Sequence, residues 1–247
     1  MENIVKIIYI NLDKRSDRRE AMEQEFAKMG IPLEMVTRFP AVYNPLNGLG
    51  CLRSHLEVLK LAKEKQYENV WIMEDDFTFT VDMDYVDKTL KQLFTKNPPF
   101  EAAMFAYIHK QDPIPMINRV KYPNIFRIVE SQTASSYLVK KHYYDTLIPL
   151  FEDAYHQLLY TGAHWLYAND QVWKLYQRNH VWYCVSPSFG KQRPEIRDNS
   201  AEHGGKMIEY TDQGKIKGIK QFYQIYSYPQ HTHNEIHSNP CICKWNV

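Results

Sequence analysis

Two short apolar runs constrain this chain more than any other feature, because each ends abruptly in polar sequence. Residues 5–10 (VKIIYI) are rich in β-branched side chains and read as a buried strand. They run into NLDKRSDRRE, a polar turn that feeds a helix. In that helix Met22, Phe26 and Met29 fall at i, i+4 and i+7, and Gly30 is the natural stop. Strand, polar loop and amphipathic helix form the opening unit of an α/β sheet. The second run, residues 69–73 (NVWIM), reads as a central strand and empties directly onto Glu74, Asp75 and Asp76.

The same alternation continues. Residues 44–50 (NPLNGLG) are a loop by their Pro, Asn and Gly content. Leu52, Leu56 and Leu59 share one face of a following helix, and Val86, Leu90 and Leu93 one face of a third. Strands are expected at 102–107, 124–129, 136–139 and 181–185, and helices at 143–159 and 170–177. Strands alternating with helices over the first half favour a mostly parallel sheet. The expected organisation is one α/β domain over residues 1–205. A C-terminal extension, 206–247, follows, with a hairpin around Asp212-Gln213-Gly214 and a loosely ordered tail.

Bulk properties narrow the function. The 247 residues suit one large α/β domain, and 44% hydrophobic content supplies a core. Lys+Arg number 30 against Asp+Glu 29, with no long basic run, which speaks against a dedicated nucleic-acid binder. No apolar run approaches the ~18 residues a membrane span needs, and the charged first ten residues do not read as a signal peptide. Four scattered cysteines form no disulfide framework and fit a reducing compartment, so a soluble, cytoplasmic protein is expected.

An apolar strand emptying into acids places carboxylates at the strand's C-terminal end, where open α/β sheets bind ligands. Alternation along an extended chain points Glu74 and Asp76 the same way. Two carboxylates on one side repel unless one takes a proton or a cation lies between them. A hard divalent ion there leaves coordination sites for a diphosphate. The bland alternative is an exposed acidic turn leading into the next helix.

Three stretches taken together resemble glycosyltransferase family 25, which includes lipopolysaccharide galactosyltransferases and collagen hydroxylysine galactosyltransferases. They are Ile10-Asn11-Leu12 with Asp17-Arg18-Arg19, then Gly50-Cys51-Leu52-Arg53-Ser54-His55-Leu56, then Glu74-Asp75-Asp76. All fall in the family's order over residues 6–78. The resemblance implies a GT-A type fold, a Rossmann-like mixed sheet flanked by helices. It also implies a DxD-like metal site for Mn²⁺ or Mg²⁺, and a UDP-sugar donor, with galactose the implied sugar. In the second half SQTASSYLV is similar to the family's Gly-x-x-x-Tyr-x-hydrophobic strand, with Gln132-Thr133-Ala134 in place of the Gly-containing lead-in. HWLYANDQVW is similar to a later Pro-x-Asp segment, with Asn169 where Pro or Val is common. SFGKQRPEIRDN is similar to a C-terminal element that ends Ser-Asp-Ile, here Arg197-Asp198-Asn199. These departures fall on the acceptor side.

Candidate residues follow from both readings. Asn11, Leu12 and Asp13 lie just past the first strand, where a nucleotide base and ribose would sit. Arg15, Arg18 and Arg19 can offer guanidinium forks to phosphate, or line a solvated helix face with Glu20 and Glu23. Ser54, His55 and Asp75 are donor-binding candidates, although His55 suits core packing equally well. Glu74 and Asp76 are the expected metal ligands, with His203 as an additional one by analogy with other GT-A enzymes. Asp170 is the candidate catalytic base, flanked by Trp165 and Trp173 as sugar platforms or core; Asp198 is its competitor. In the tail, His231, His233, His237, Cys241 and Cys243 lack the usual structural zinc spacing. The acceptor would be a glycan or hydroxylysine. Two other classes remain: a nucleotide-sugar-binding pseudoenzyme, and a metal-dependent phosphatase or nucleotidyltransferase. Glu-Asp-Asp-Phe-Thr begins with the wrong acid for an aspartyl phosphatase loop, and no Gly-rich phosphate loop with Lys is present.

Overall fold

The computed structural model describes residues 6–46, 48–95, 100–115 and 122–193. The chain divides into two compact units, Met1–Glu195 and Ile196–Val247. The second unit, with the expected hairpin, the boundary near residue 205 and the His/Cys tail, lies outside the described residues.

In chain order the elements are β1 (Lys6–Asn11), α1 (Ser16–Lys28), β2 (Val36–Pro40), α2 (Leu49–Glu64), β3 (Asn69–Glu74), β4 (Phe77–Phe79), α3 (Met83–Phe94) and β5 (Ala102–Gln111). Then come β6 (Ile114–Pro115), β7 (Ile125–Arg127), β8 (Glu130–Lys140), α4 (Tyr144–Thr161), α5 (His164–Tyr167), α6 (Asn169–Asn179), β9 (Trp182–Val185) and β10 (Gly190–Gln192). The sheet order is β2-β1-β3-β8-β5-β9-β7-β6, with a separate β10-β4 pair. The first-half strands β2, β1 and β3 run parallel, as their helical crossovers require. Strand β8 then enters antiparallel to both β3 and β5, so the whole sheet is mixed. The α/β class and the Rossmann-like mixed sheet flanked by helices are therefore what this chain adopts.

Period-two alternation sorts the core into two layers. Ile8, Ile10, Val70 and Ile72 pack with α2, α4 and α6, while Ile7, Tyr9, Trp71 and Met73 pack with α1 and α3. Strands buried on both faces read as continuous apolar runs, which is why the sequence shows them so clearly. Helix α1 stops where Gly30 takes a left-handed φ of 63°, and α3 starts where the Asp82 side chain accepts the Tyr85 N–H at 2.8 Å.

Gly50, in the first turn of α2, has a steric reason. A Cβ there would lie 2.5 Å from the Val42 carbonyl oxygen and 3.0 Å from the Asn44 nitrogen. Because those atoms are backbone, neither can rotate away. Gly50→Ala is expected to destabilise the protein by ~1–3 kcal/mol, the usual range for overpacking, read as a lower urea midpoint. An unchanged midpoint would mean that the loop over residues 42–44 yields freely.

Candidate active site

The site lies where β1 and β3 end side by side, with Ile10 paired to Glu74 in the parallel register. Alternation sends the three acids to different layers. Glu74, in phase with Val70 and Ile72, turns to α2, whereas Asp75, in phase with Trp71 and Met73, turns to α1.

On the α2 side, Glu74 Oε1 lies 3.3 Å from Cys51 Sγ and 3.2 Å from His55 Nε2. His55 is fully buried, and its Nδ1 lies 2.8 Å from the Tyr137 hydroxyl of β8. Burial first, and the Glu74 carboxylate next, hold the Cys51 thiol well above its usual range. The Ser54 hydroxyl is taken up by backbone: it donates to the Gly50 carbonyl at 2.7 Å and accepts the Val42 N–H at 2.8 Å. It thus pins the loop before α2 to the helix.

On the α1 side, Asp75 is fully engaged. Arg18 Nη1 reaches its Oδ1 at 2.9 Å, and Asn11 Nδ2 donates to its Oδ2 at 2.7 Å. Asp75 and Arg18, both expected at the donor, therefore meet one another in a buried ion pair. Asn11 is further held by Arg38 of β2, whose Nε donates to its Oδ1 at 2.9 Å. Arg38 also pairs with the exposed Asp13. Leu12 is half-buried, and its carbonyl accepts the Arg15 N–H at 2.9 Å. Arg15 forks onto Asp17 at 2.8 and 2.7 Å, and Arg19 pairs with Glu23 at 3.0 Å. Arg19 thus follows the helix-face alternative.

Asp76 follows β3 in the turn before β4. Its Oδ2 accepts from Gln192 of β10 at 2.8 Å, while its buried Oδ1 has no hydrogen-bond partner. Burial, and then the charge of Glu74, push its pKa from 3.8 up to about 7. An orphaned carboxylate oxygen beside a second carboxylate fits a divalent cation. The native state keeps a proton that the unfolded chain releases from pH 4 upward. Stability conferred by that proton is full below the unfolded pKa and is lost as pH rises through about 7. Asp76→Asn, which resembles the protonated form, is expected to flatten that decline and to raise the metal-free Tm at pH 8 by ~2–8 °C. Where Asp76 is a cation ligand, the same change is also expected to abolish Mn²⁺-induced stabilisation. Thermal melts at pH 5 and pH 8 check this; an unchanged pH slope would assign the decline to another group.

Asp170, in the first turn of α6, accepts the Thr133 N–H at 3.2 Å and the Gln171 amide at 3.2 Å. Its charge acts on the Cys51 thiol together with those of Glu74 and Asp76. The fold therefore brings Asp170 to the end of the sheet that carries the acidic triplet. Trp173 is fully buried, and its indole N–H donates to the Ser131 carbonyl at 3.2 Å, so it belongs to the core; Trp165 is exposed. His203 and Asp198 lie outside the described residues.

Sequence reasoning gave no role to Tyr137, Arg38, Gln192 or Arg193. Arg193 donates its N–H to the Asp76 carbonyl at 2.7 Å and Nη2 to the Asp75 carbonyl at 2.5 Å. These contacts span more than a hundred residues, and only tertiary folding reveals them.

No family model matches the chain. Over 30% of its length it is 32% identical to a "Glycosyltransferase 25 family member" of Drosophila melanogaster, and the match covers 16% of that protein. The chain thus spans less than a fifth of the length of this curated relative. Among solved structures it is similar to a mannose-1-phosphate geranyltransferase from Thermus thermophilus. That match has a TM-score of 0.42 and 9% identity, and covers 76% of this chain and 73% of the other. It is also similar to a glycosyltransferase involved in the glycosylation of the major capsid of PBCV-1. There the TM-score is 0.38 and the identity 8%, with 74% of this chain and 92% of the other covered. Among the described residues, no helix is long and apolar enough to cross a membrane.

Proposed function

We propose that this chain is a cation-dependent, inverting glycosyltransferase. It would move a hexose, galactose by family resemblance, from a UDP-sugar to a hydroxyl of a glycan or hydroxylysine. The observation that carries the reading is the Glu74–Asp76 pair at the C-terminal ends of parallel strands. Asp76 is buried, repelled by Glu74 and left with one oxygen without a partner. The partial similarity to a glycosyltransferase 25 family member supports it.

Glu74 and Asp76 would hold Mn²⁺ or Mg²⁺, and such an ion supplies Lewis-acid neutralisation of the diphosphate charge. Asn11, Leu12 and Asp13 border the place for base and ribose. Asp170 accepts the proton of the acceptor hydroxyl as its oxygen bonds to the anomeric carbon. The bond from that carbon to the diphosphate breaks on the opposite face, and UDP leaves with the electron pair. Orientation of the two substrates supplies much of the remaining acceleration.

The test incubates the full chain with Mn²⁺, a panel of UDP-hexoses and hydroxyl acceptors, followed by mass spectrometry. UDP release together with an acceptor heavier by one hexose is expected. Release of inorganic phosphate would make the protein a phosphatase, and tight binding without turnover a nucleotide-sugar-binding protein; either result overturns the proposal.

A further inference from the structure

The face of α2 turned toward Glu74 carries two side chains that a purely oxygen-ligated cation does not need. Cys51 and His55 stand one turn apart, and Cys51 Sγ, His55 Nε2 and a Glu74 carboxylate oxygen all lie within 4.8 Å of one another. We propose that Cys51, His55 and Glu74 together form a binding site for a thiophilic divalent ion of the zinc and cobalt class. The inference deepens the proposed cation site by adding sulfur and nitrogen donors at Glu74, and it rests on that reading only for Glu74 being a ligand.

The spacing suits such an ion. Metal–sulfur bonds of about 2.3 Å and metal–nitrogen or metal–oxygen bonds of about 2.0–2.2 Å put tetrahedral neighbours roughly 3.3–3.6 Å apart. The donors already stand 3.3 Å (Sγ to Oε1) and 3.2 Å (Nε2 to Oε1) from each other. For those two pairs tenths of an ångström of adjustment suffice, and the third pair, Sγ and Nε2, lies within 4.8 Å.

The surroundings have the form of a metal site. A histidine ligand normally has its other ring nitrogen held by a hydrogen bond, which fixes both tautomer and ring orientation. Here Tyr137 does so at 2.8 Å from Nδ1, with its ring stacked on the imidazole at a centroid distance of 5.6 Å. His55 itself is fully buried, whereas the Glu74 side chain keeps 20% of its surface exposed, which gives an ion a route of approach. Asp76 and Asp170 add negative potential at the same thiol. Three protein donors leave a fourth tetrahedral position for an outside oxygen, the pattern of reactive rather than purely structural zinc sites. Without an ion, the same three side chains form a hydrogen-bonded trio on one carboxylate oxygen. What separates the two readings is donor chemistry, because a thiolate selects zinc, cobalt and cadmium over magnesium.

The test uses the full chain with Cys241→Ser and Cys243→Ser, so that tail thiols do not contribute. Titration with Co²⁺ is expected to give a near-ultraviolet thiolate-to-cobalt charge-transfer band. Adding Cys51→Ser should abolish the band and weaken Zn²⁺ binding at least tenfold in calorimetry, while Mg²⁺ binding stays unchanged. His55→Gln should weaken Zn²⁺ similarly but keep the thiolate band at saturating Co²⁺. The band in the Cys51-containing protein needs no variant at the site, so it stands even where a variant folds poorly. Absence of the band, or equal Zn²⁺ affinity with and without Cys51, overturns the site. A band without sugar transfer removes the transferase reading and keeps the ion site. Transfer supported by Mg²⁺ with no band does the reverse.

Discussion

Asp170→Asn is expected to lower kcat by ~10²–10⁴, the usual contribution of a positioned general base, while UDP and cation affinity stay near wild type. Inversion requires attack from the side opposite the departing diphosphate, so the base cannot be one of the carboxylates assigned to the cation. Glu74 and Asp76 are spoken for in that way, and Asp75 is locked against Arg18 and Asn11. Asp170 reaches the same end of the sheet from α6, a different element, and its charge is felt at Cys51 beside Glu74. Its backbone anchor survives the change, because an asparagine oxygen can still accept the Thr133 N–H. Loss of rate with retained binding therefore reports chemistry rather than collapse. Single-turnover transfer and UDP calorimetry on Asp170→Asn, with Asp198→Asn beside it, make the comparison. Full transfer rates in Asp170→Asn with loss in Asp198→Asn would move the base to the later segment.

The parts of the fold that could be read in advance are those whose signal is local. Strands β1 and β3 are buried on both faces, so they appear as unbroken apolar runs. Strands β5, β7 and β9 also overlap expected segments, whereas β8 shows only in part. The chain of β8 reads ESQTASSYLVK, and only its last third looks like a strand. Two of its buried serines meet side chains from other elements: Ser131 Oγ lies against His109 Nδ1, and Trp71 Nε1 donates to Ser136 Oγ at 2.8 Å. Hydrophobic periodicity cannot register such a strand. Counting back four residues from Tyr137 puts Thr133 at the glycine of the strand pattern quoted above, and Thr133 has a left-handed φ of 82°. Glycine takes that conformation at no steric cost, whereas a β-branched residue is strained there. Thr133 therefore holds, at a steric cost, a conformation that glycine would take freely. At the site, alternation pointed Glu74 and Asp76 the same way, and the charge of Glu74 is felt at Asp76. It said nothing of where each acid finds its partner, because Arg18, His55 and Gln192 arrive from three other elements.

Arg18→Ala is expected to destabilise the protein by ~3–5 kcal/mol, the usual cost of removing one partner from a buried ion pair. For a domain of this size that is a Tm loss of roughly 6–20 °C. As a phosphate ligand alone, Arg18 would show its loss chiefly as a raised donor KM. The structure adds a larger effect. Both side chains of the Arg18–Asp75 pair are about nine-tenths buried. Burial, joined by the charge of Glu74, raises the Asp75 pKa despite Asn11 and Arg18, so the carboxylate is already poorly compensated with its partner in place. Taking the guanidinium away leaves that charge in the protein with only the Asn11 amide, and with Glu74 and Asp76 close by in sequence. The pair as a whole contributes little net stability, because desolvation offsets the attraction. It follows that Asp75→Asn added to Arg18→Ala should recover much of the loss, whereas Arg18→Lys should recover only part, since an ammonium lacks the planar fork. Urea unfolding of these variants, with Asp75→Asn alone added, measures the cycle. A loss below about 1 kcal/mol in Arg18→Ala, an exposed-pair magnitude, combined with a raised donor KM, would show that Arg18 spends its charge on the donor rather than on Asp75.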